Sequence, residues 1–109
     1  MVEYAIQLDL VLNSLANSTR RDILQRLSGR GQTVGEIAEH YKMSFAAVSK
    51  HLQILEKAKL ISKRRSGRKQ FVTAEPAALK SVRDYLDQYE KLWNVRFDAL
   101  EELLKEEGN

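Results

Sequence analysis

The sequence predicts a mainly α-helical domain with one small β-hairpin. Apolar residues recur at steps of three and four through most of the 109 residues, as they do on the buried face of a helix. Between residues 60 and 73 this period gives way to two short runs around Ser66-Gly67, which is typical of a hairpin. A chain of this length is expected to form a single domain over residues 1–109.

Composition narrows the class of protein. Hydrophobic residues make up 43% of the chain and charged residues 30%, which is typical of a folded globular protein. No apolar run is long enough to span a membrane, and the N-terminus lacks the basic start of a signal peptide, so we expect a cytoplasmic protein. The chain has no cysteine, which excludes disulfides, thiolate metal sites and thiol catalysis.

Two helices are expected before residue 28. The first covers residues 3–16, where there is more apolar surface than one small core needs. The second runs roughly over residues 18–27 and ends at the SGRG segment, because two glycines within four residues break a helix. Either Asn17 or Ser18 can serve as its N-cap. Its inward-facing residues are expected to be Ile23, Leu24 and Leu27.

The stretch from Thr33 to Ala58 predicts two further helices joined by a tight turn. Thr33 and Glu36 have the spacing of a capping box, which places the start of the first of these helices. Ser44 is well placed to cap the second. The inward-facing residues of the first helix are expected to be Ile37, Ala38 and Tyr41.

The second helix of this pair, residues 44–57, has two contrasting faces. Its apolar face carries Phe45, Val48, Leu52 and Leu55. The opposite face is small, hydrogen-bonding or cationic, which suits the major groove of DNA. That face carries Ala46, Ser49, Lys50, Gln53 and Lys57. We interpret the pair as a helix-turn-helix with a recognition helix, although similar helix pairs also occur in proteins that never bind DNA.

The charge of the chain is unevenly distributed. The net charge is only +3, but residues 42–70 contain nine basic side chains against Glu56 alone. The segments on either side are both net negative. Such a concentration of positive charge is expected of a surface that binds nucleic acid. A solvated basic face with no partner is the alternative.

The predicted hairpin continues this basic region. Its apolar ends, Leu60-Ile61 and Phe71-Val72, would pack against the body of the domain, so that its tip is cationic. A hairpin of this kind is a wing, which suits backbone phosphates or the minor groove. A cationic tip can also serve solubility or protect a sheet edge. The basic residues of the wing are Arg64, Arg65, Arg68 and Lys69.

The last third of the chain predicts either one long helix or two shorter ones. Pro76 is suited to its first turn, and residues 77–107 contain neither Gly nor Pro, so a helix of roughly 45 Å can form. Its apolar stripe is longer than one small domain can cover, so we assign part of it, with the first helix, to a homodimer interface. Packing within one chain, or an aromatic cage for a ligand, are the alternatives. The predicted interface residues are Tyr4, Leu8, Leu12, Tyr85, Tyr89, Trp93, Phe97 and Leu100.

Three segments resemble the ArsR family of winged helix-turn-helix transcriptional repressors: LANSTRRDILQRL, TVGEIAEHYKMSFAAVSKHLQILEKAKLI and SKRRSGRKQFV. The C-terminal YLDQYEKLWNVRFDALEELL is similar to a subgroup whose last helix carries a Trp and an Arg-x-Asp pattern. The resemblance implies a homodimer that binds an operator on double-stranded DNA and releases it when an effector arrives. It implies that residues 44–53 enter the major groove and that residues 64–69 contact DNA from the wing. The predicted DNA-binding residues are Ser44, Phe45, Ala46, Ser49, Lys50, His51, Gln53, Arg64, Arg65, Arg68 and Lys69.

The chain departs from the metal-sensing members of that family. It lacks their cysteine pairs, and residues 76–109 contain no histidine, so we expect no metal and no cofactor, and the sequence leaves open which effector acts, if any. No paired carboxylates, Ser/His/Asp set or Gly-rich phosphate loop indicates an enzyme. The competing hypothesis is a winged-helix module that binds proteins, not DNA, which would require an acidic or apolar recognition face.

Overall fold

Five helices and three short strands follow one another in the computed structural model, which describes residues 2–107 and their side chains from residue 5 onward. The predicted order of elements is confirmed, with one strand added. The elements are α1 Val2–Leu15, α2 Ser18–Leu27, β1 Gln32–Thr33, α3 Val34–Glu39, α4 Phe45–Lys57, β2 Ile61–Ser66, β3 Lys69–Ala74 and α5 Ala77–Glu107.

Three predicted caps begin the helices of the central region. The Asn17 side chain accepts a hydrogen bond from the backbone N–H of Arg20 at the start of α2. Thr33 and Glu36 form the complete capping box of α3, with both hydrogen bonds at 3.1 Å. The Ser44 hydroxyl accepts from the Ala47 N–H at the start of α4. The helix starts are therefore set by local side-chain chemistry.

The small sheet is antiparallel, in the order β1-β3-β2. Strands β2 and β3 form the predicted hairpin, in which Gly67 adopts a φ of +63° between the paired residues Ser66 and Lys69. Strand β1 was not predicted from the sequence. It pairs Gln32 with Val72, and the chain approaches β3 so closely that a Cβ at Gly31 would lie 2.8 Å from the Thr73 methyl group.

The core lies where the first four helices meet the base of the sheet. Of the predicted inward residues, Ile23, Leu27 and Ile37 are buried, whereas Leu24, Ala38 and Tyr41 are partly buried against them. The buried side chains of α4 are Val48, Leu52 and Leu55.

Phe45 departs from its assignment to the apolar face of α4. It is 61% exposed. The residue occupies the first turn of α4, where the helix extends beyond the core, so its ring faces the space beneath the wing instead.

Helix α5 is a single continuous helix over Ala77–Glu107, with the predicted bounds. Only its first part packs on the domain, through the buried Val82 and the partly buried Ala78 and Tyr85. Every described residue after Tyr85 is exposed. The helix therefore projects from the domain, and the described chain measures 72 × 33 × 22 Å.

Candidate nucleic-acid interface

Helix α4 is held at both ends in a fixed place. Ser44 caps its start, and its end has the hydrogen bonds of a Schellman motif, from Lys59 N–H to the Glu56 carbonyl and from Leu60 N–H to the Leu55 carbonyl. Lys59 occupies the left-handed position of this motif, with a φ of 63°, which glycine usually takes. The chain then turns directly into the wing, so the geometry of this end sets the angle between α4 and the hairpin.

The predicted DNA-binding residues of α4 lie on its outward side. Lys50 and Gln53 are exposed, as are the three residues around the N-terminus of the helix, Ser44, Phe45 and Ala46. Ser49 and His51 are partly buried. An α-helix whose free face combines an ammonium, an amide and small side chains has the groups needed to contact base edges in the major groove.

A cleft of about 450 Å³ separates the N-terminal half of α4 from the wing. It brings Phe45 and Ser49 of the helix together with the predicted wing residues Arg65, Arg68 and Lys69. Lys63 and Gln70, which the sequence-based set omitted, also line it. The cleft is therefore bordered by four basic side chains, which favours binding of a polyanion there.

Arg64 is separated from the other wing residues. It pairs across the hairpin with Phe71, and the two line a shallow hollow on the other face, together with Gly31, Ser62 and Thr73. The reason is the two-residue period of a strand, which turns Arg64 and Arg65 to opposite sides. The prediction grouped these neighbours as one site, but the structure places only Arg65 at the cleft.

The few acidic residues near the cleft are engaged by basic or backbone partners. The Glu56 carboxylate lies 3.3 Å from the Lys63 ammonium, and that of Glu36 lies 3.4 Å from Arg30. The hydrogen bond from the Thr33 backbone lowers the pKa of Glu36, and the charges of Arg30 and Lys69 act in the same direction. The Glu36 carboxylate is therefore ionised at neutral pH, yet the surface around the two carboxylates keeps its basic character.

A polar cluster joins α2 to the turn that precedes the recognition helix. The Tyr41 hydroxyl donates a 2.6 Å hydrogen bond to Asp22, whose carboxylate also accepts from Arg26 at 2.9 Å. The Arg26 guanidinium lies 5.8 Å from the centre of the Tyr41 ring. The hydrogen bond from Tyr41 lowers the pKa of Asp22, and burial raises the pKa of Tyr41 to about 12. The cluster ties α2 to the turn between α3 and α4.

Four of the five predicted interface residues on α5 form an exposed apolar stripe, and the fifth, Tyr85, is partly buried against its own domain. Tyr89, Trp93, Phe97 and Leu100 are 47–57% exposed, and Leu12 on α1 is 38% exposed. Aromatic pairs strengthen the stripe, with ring centroids 5.1 Å apart for Tyr85 and Tyr89 and 5.9 Å apart for Trp93 and Phe97. Further exposed apolar residues of α5 are Leu86, Leu92, Leu103 and Leu104.

Leu8, a residue of the predicted interface set, does not join this stripe in the structure. Leu8 is only 8% exposed and belongs to the core of its own chain, because it lies on the side of α1 that packs against the domain. The side chain of Tyr4 lies outside the described residues.

Residues 2–107 show neither of two other kinds of site. They contain no group of three or more His, Asp or Glu side chains placed to hold a metal ion. No helix among them has the length and apolar character needed to cross a membrane.

The helix-turn-helix, the basic wing and the cleft between them define a winged helix-turn-helix DNA-binding protein. Residues 15–64 match the family described as a helix-turn-helix domain. The chain is 33% identical over 101 residues to the HTH-type transcriptional regulator Rv2034 of Mycobacterium tuberculosis, covering 93% of this chain and 92% of that protein. It is 44% identical over 57 residues to the transcriptional repressor SdpR of Bacillus subtilis, covering 52% and 63% respectively.

Similar solved structures belong to the same class of winged helix-turn-helix proteins. The crystal structure of the ArsR family transcriptional regulator RHA00566 superposes with a TM-score of 0.79 at 31% identity, covering 83% of this chain and 93% of that one. The homodimeric winged helix-turn-helix domain of Mb0332 from Mycobacterium bovis, a possible ArsR-family regulator, has a TM-score of 0.66 at 28% identity, with coverages of 84% and 86%. The chain belongs to the ArsR family of winged helix-turn-helix transcriptional regulators, as the sequence motifs predicted.

Proposed function

We propose that the chain is a homodimeric repressor that binds an operator on double-stranded DNA. In this proposal the single domain, residues 1–109, reads base edges with the recognition helix 44–57 and contacts phosphates with the wing 60–73. Residues 76–107 form the dimerising helix. The observation that carries DNA binding is the cleft between α4 and the wing, bordered by Lys63, Arg65, Arg68 and Lys69. The likeness to the repressor SdpR supports repression as the outcome.

Dimerisation is supported by the projecting part of α5. Its apolar stripe, centred on Trp93 and Phe97, has no partner among the described residues of one chain. Covering such a stripe with the same stripe of a second copy would bury both at once, since a two-fold interface is self-complementary. The homodimeric domain of Mb0332 supports this arrangement.

The protein-interaction hypothesis would place a protein on the same surface. Apart from Phe45 and Ala46, the exposed residues that would contact it, such as Lys50, Gln53 and Arg68, are basic or polar. Phosphates fit these groups better, so we keep DNA as the partner.

The decisive experiment is selection of bound fragments from a pool of random double-stranded DNA, followed by titration of the selected sequence. A common half-site repeated with two-fold symmetry is the expected result, and recovery of no enriched sequence would contradict the proposal. Two matched variants then locate the DNA. Arg65→Ala should weaken binding and flatten its salt slope by about 2 in a dimer, whereas Arg64→Ala, one residue away, should do so much less. Equal effects would show that the cleft is not where the phosphates lie.

A further inference from the structure

The side chain of Arg20 joins three helices at one point. Arg20 lies in the first turn of α2, and its Nε donates to the Ser14 carbonyl at 2.8 Å while Nη2 donates to the Asn13 carbonyl at 3.0 Å. Both carbonyls belong to the last turn of α1, the end of a helix that favours a cation, and the Asn13 carbonyl also accepts from the Ala16 N–H at 3.2 Å. The third nitrogen, Nη1, lies 3.3 Å from Nδ1 of His51 on α4. One guanidinium therefore connects the end of α1 to the recognition helix.

The contact with Arg20 determines the form of the His51 ring. A guanidinium can only donate hydrogen bonds, so Nδ1 of His51 must accept, and the neutral imidazole carries its proton on Nε2. Burial lowers the pKa of His51 below its usual 6.5, and the charge of Arg20 lowers it further. The His51 ring is therefore neutral at neutral pH, with a single tautomer that is fixed by its hydrogen bond with Arg20.

A second hydrogen bond attaches the far end of α4 to the same helix. The Gln7 side chain of α1 donates to the carbonyl of Ala58, the C-cap of α4, at 2.8 Å. His51 and Ala58 are about 10 Å apart along a helix, at 1.5 Å per residue. Two attachments at that separation fix the direction of α4 relative to α1 as well as its position.

We propose that Arg20 is a positioning residue for DNA recognition, which fixes the direction of the recognition helix by holding His51 against the carbonyl end of α1. The proposal rests on the proposed function, because it requires α4 to read DNA. Arg20 lies on α2 and is not part of the outward face of α4, which is proposed to contact the bases. Since α1 also belongs to the proposed dimer interface, the same contacts relate the recognition helix of one subunit to that of its partner. Operator binding needs both helices in register, whereas nonspecific binding does not.

Substitutions at both partners test the proposal, with titrations on the selected operator and on unrelated DNA of equal length. Arg20→Met should weaken operator binding by about tenfold and binding to unrelated DNA much less, because a hydrogen-bonded geometry is lost. Arg20→Lys keeps the charge but cannot span the three acceptors, so it should resemble Arg20→Met. His51→Gln retains a side-chain acceptor for Arg20 and His51→Leu does not, so His51→Leu should bind the operator more weakly than His51→Gln.

Nitrogen NMR of the histidine side chains supplies a readout that does not depend on DNA. In the wild-type protein His51 should carry its proton on Nε2 and titrate below 6.5, and in Arg20→Met it should lose the single tautomer and titrate closer to 6.5. A wild-type His51 protonated on Nδ1 would overturn the proposal. So would folded Arg20 variants that bind the operator like the wild type, or that lose operator and unrelated DNA equally. If the wild-type protein binds no DNA, both the proposed function and this inference are refuted. The NMR measurement then still shows whether Arg20 forms its hydrogen bond with the His51 ring.

Discussion

The carboxylate of Glu56 lies 3.3 Å from the ammonium of Lys63, which joins the last turn of the recognition helix to the base of the wing. Glu56 is the only acidic residue between positions 42 and 70. The Lys63 side chain is 14% exposed, and it borders the proposed DNA cleft. The pair therefore holds one of the four cationic groups of the cleft against the protein and away from a ligand.

Glu56→Gln should make the protein bind DNA more tightly but less selectively. The substitution removes a negative charge beside the cleft and frees Lys63, so affinity for unrelated DNA should rise several-fold at low salt and the salt slope should steepen by about 2 in a dimer. Stability should fall by about 1 kcal/mol or less, because partly exposed ion pairs contribute little. Titrations at several salt concentrations measure both effects. Glu102→Gln, on the projecting part of α5 and on the face opposite the apolar stripe, is the control, and an equal gain in that variant would refute the local explanation.

Lys59→Gly should stabilise the protein. Lys59 has a φ of 63°, a conformation that costs a residue with a Cβ roughly 1–2 kcal/mol. Glycine avoids that cost but loses more entropy on folding, so the net gain in the free energy of unfolding should be about 0.5–1 kcal/mol. Lys59→Ala removes the same charge and keeps the strain, and it should show no such gain. Urea denaturation of the three proteins decides the matter, and equal stability of the two variants would contradict the backbone explanation.

The elements that could be predicted from the sequence are those whose signals are local. The start of α3 follows from Thr33 and Glu36, three residues apart, and the extent of α5 follows from Pro76 and a run without Gly or Pro. Strand β1 could not be predicted, because two residues form a strand only by pairing with β3, whose partners lie far along the chain.

The candidate site could be predicted in part. The basic wing and the outward face of α4 follow from residue type and period, so Lys50, Gln53 and Arg68 were assigned to the exposed surface that they occupy. The contacts that position α4 depend on tertiary packing. Arg20 reaches His51 across 31 positions of the chain, and no pattern of spacing indicates such a contact. The same is true of Phe45, whose exposure depends on where the core ends.

Trp93→Arg should dissociate the proposed dimer. Trp93 is 50% exposed in a single chain, so an arginine there is tolerated by the monomer but would place a charge without an assigned partner in the dimer interface. Sedimentation of the variant should show a monomer, or an unfolded chain if the subunits need one another to fold. Gln88→Arg adds the same charge on the opposite face of α5, about 140° away at 100° per residue, and should leave the dimer intact. A wild-type protein that is a stable monomer at micromolar concentration would end the dimer proposal.

The wing and the recognition helix should make different contributions to DNA binding. Arg68 follows Gly67 at the exposed tip of the hairpin, where a long side chain can neutralise a phosphate but does not hold a fixed angle to a base. Gln53 projects from a rigid helix, and a positioned amide can form paired hydrogen bonds with an adenine edge. We therefore assign affinity mainly to the wing and sequence preference mainly to α4.

Arg68→Ala should weaken binding to operator and to scrambled DNA about equally, and it should flatten the salt slope by about 2 if each subunit of a dimer loses one phosphate contact. Gln53→Ala should leave that slope nearly unchanged, while costing roughly 1–3 kcal/mol per half-site against the preferred base. Titrations of both variants on both DNAs, at several salt concentrations, separate the two effects. This assignment is wrong if Arg68→Ala changes the sequence preference and Gln53→Ala does not, because the exposed tip would then contact the bases that determine the preference and the helix would not.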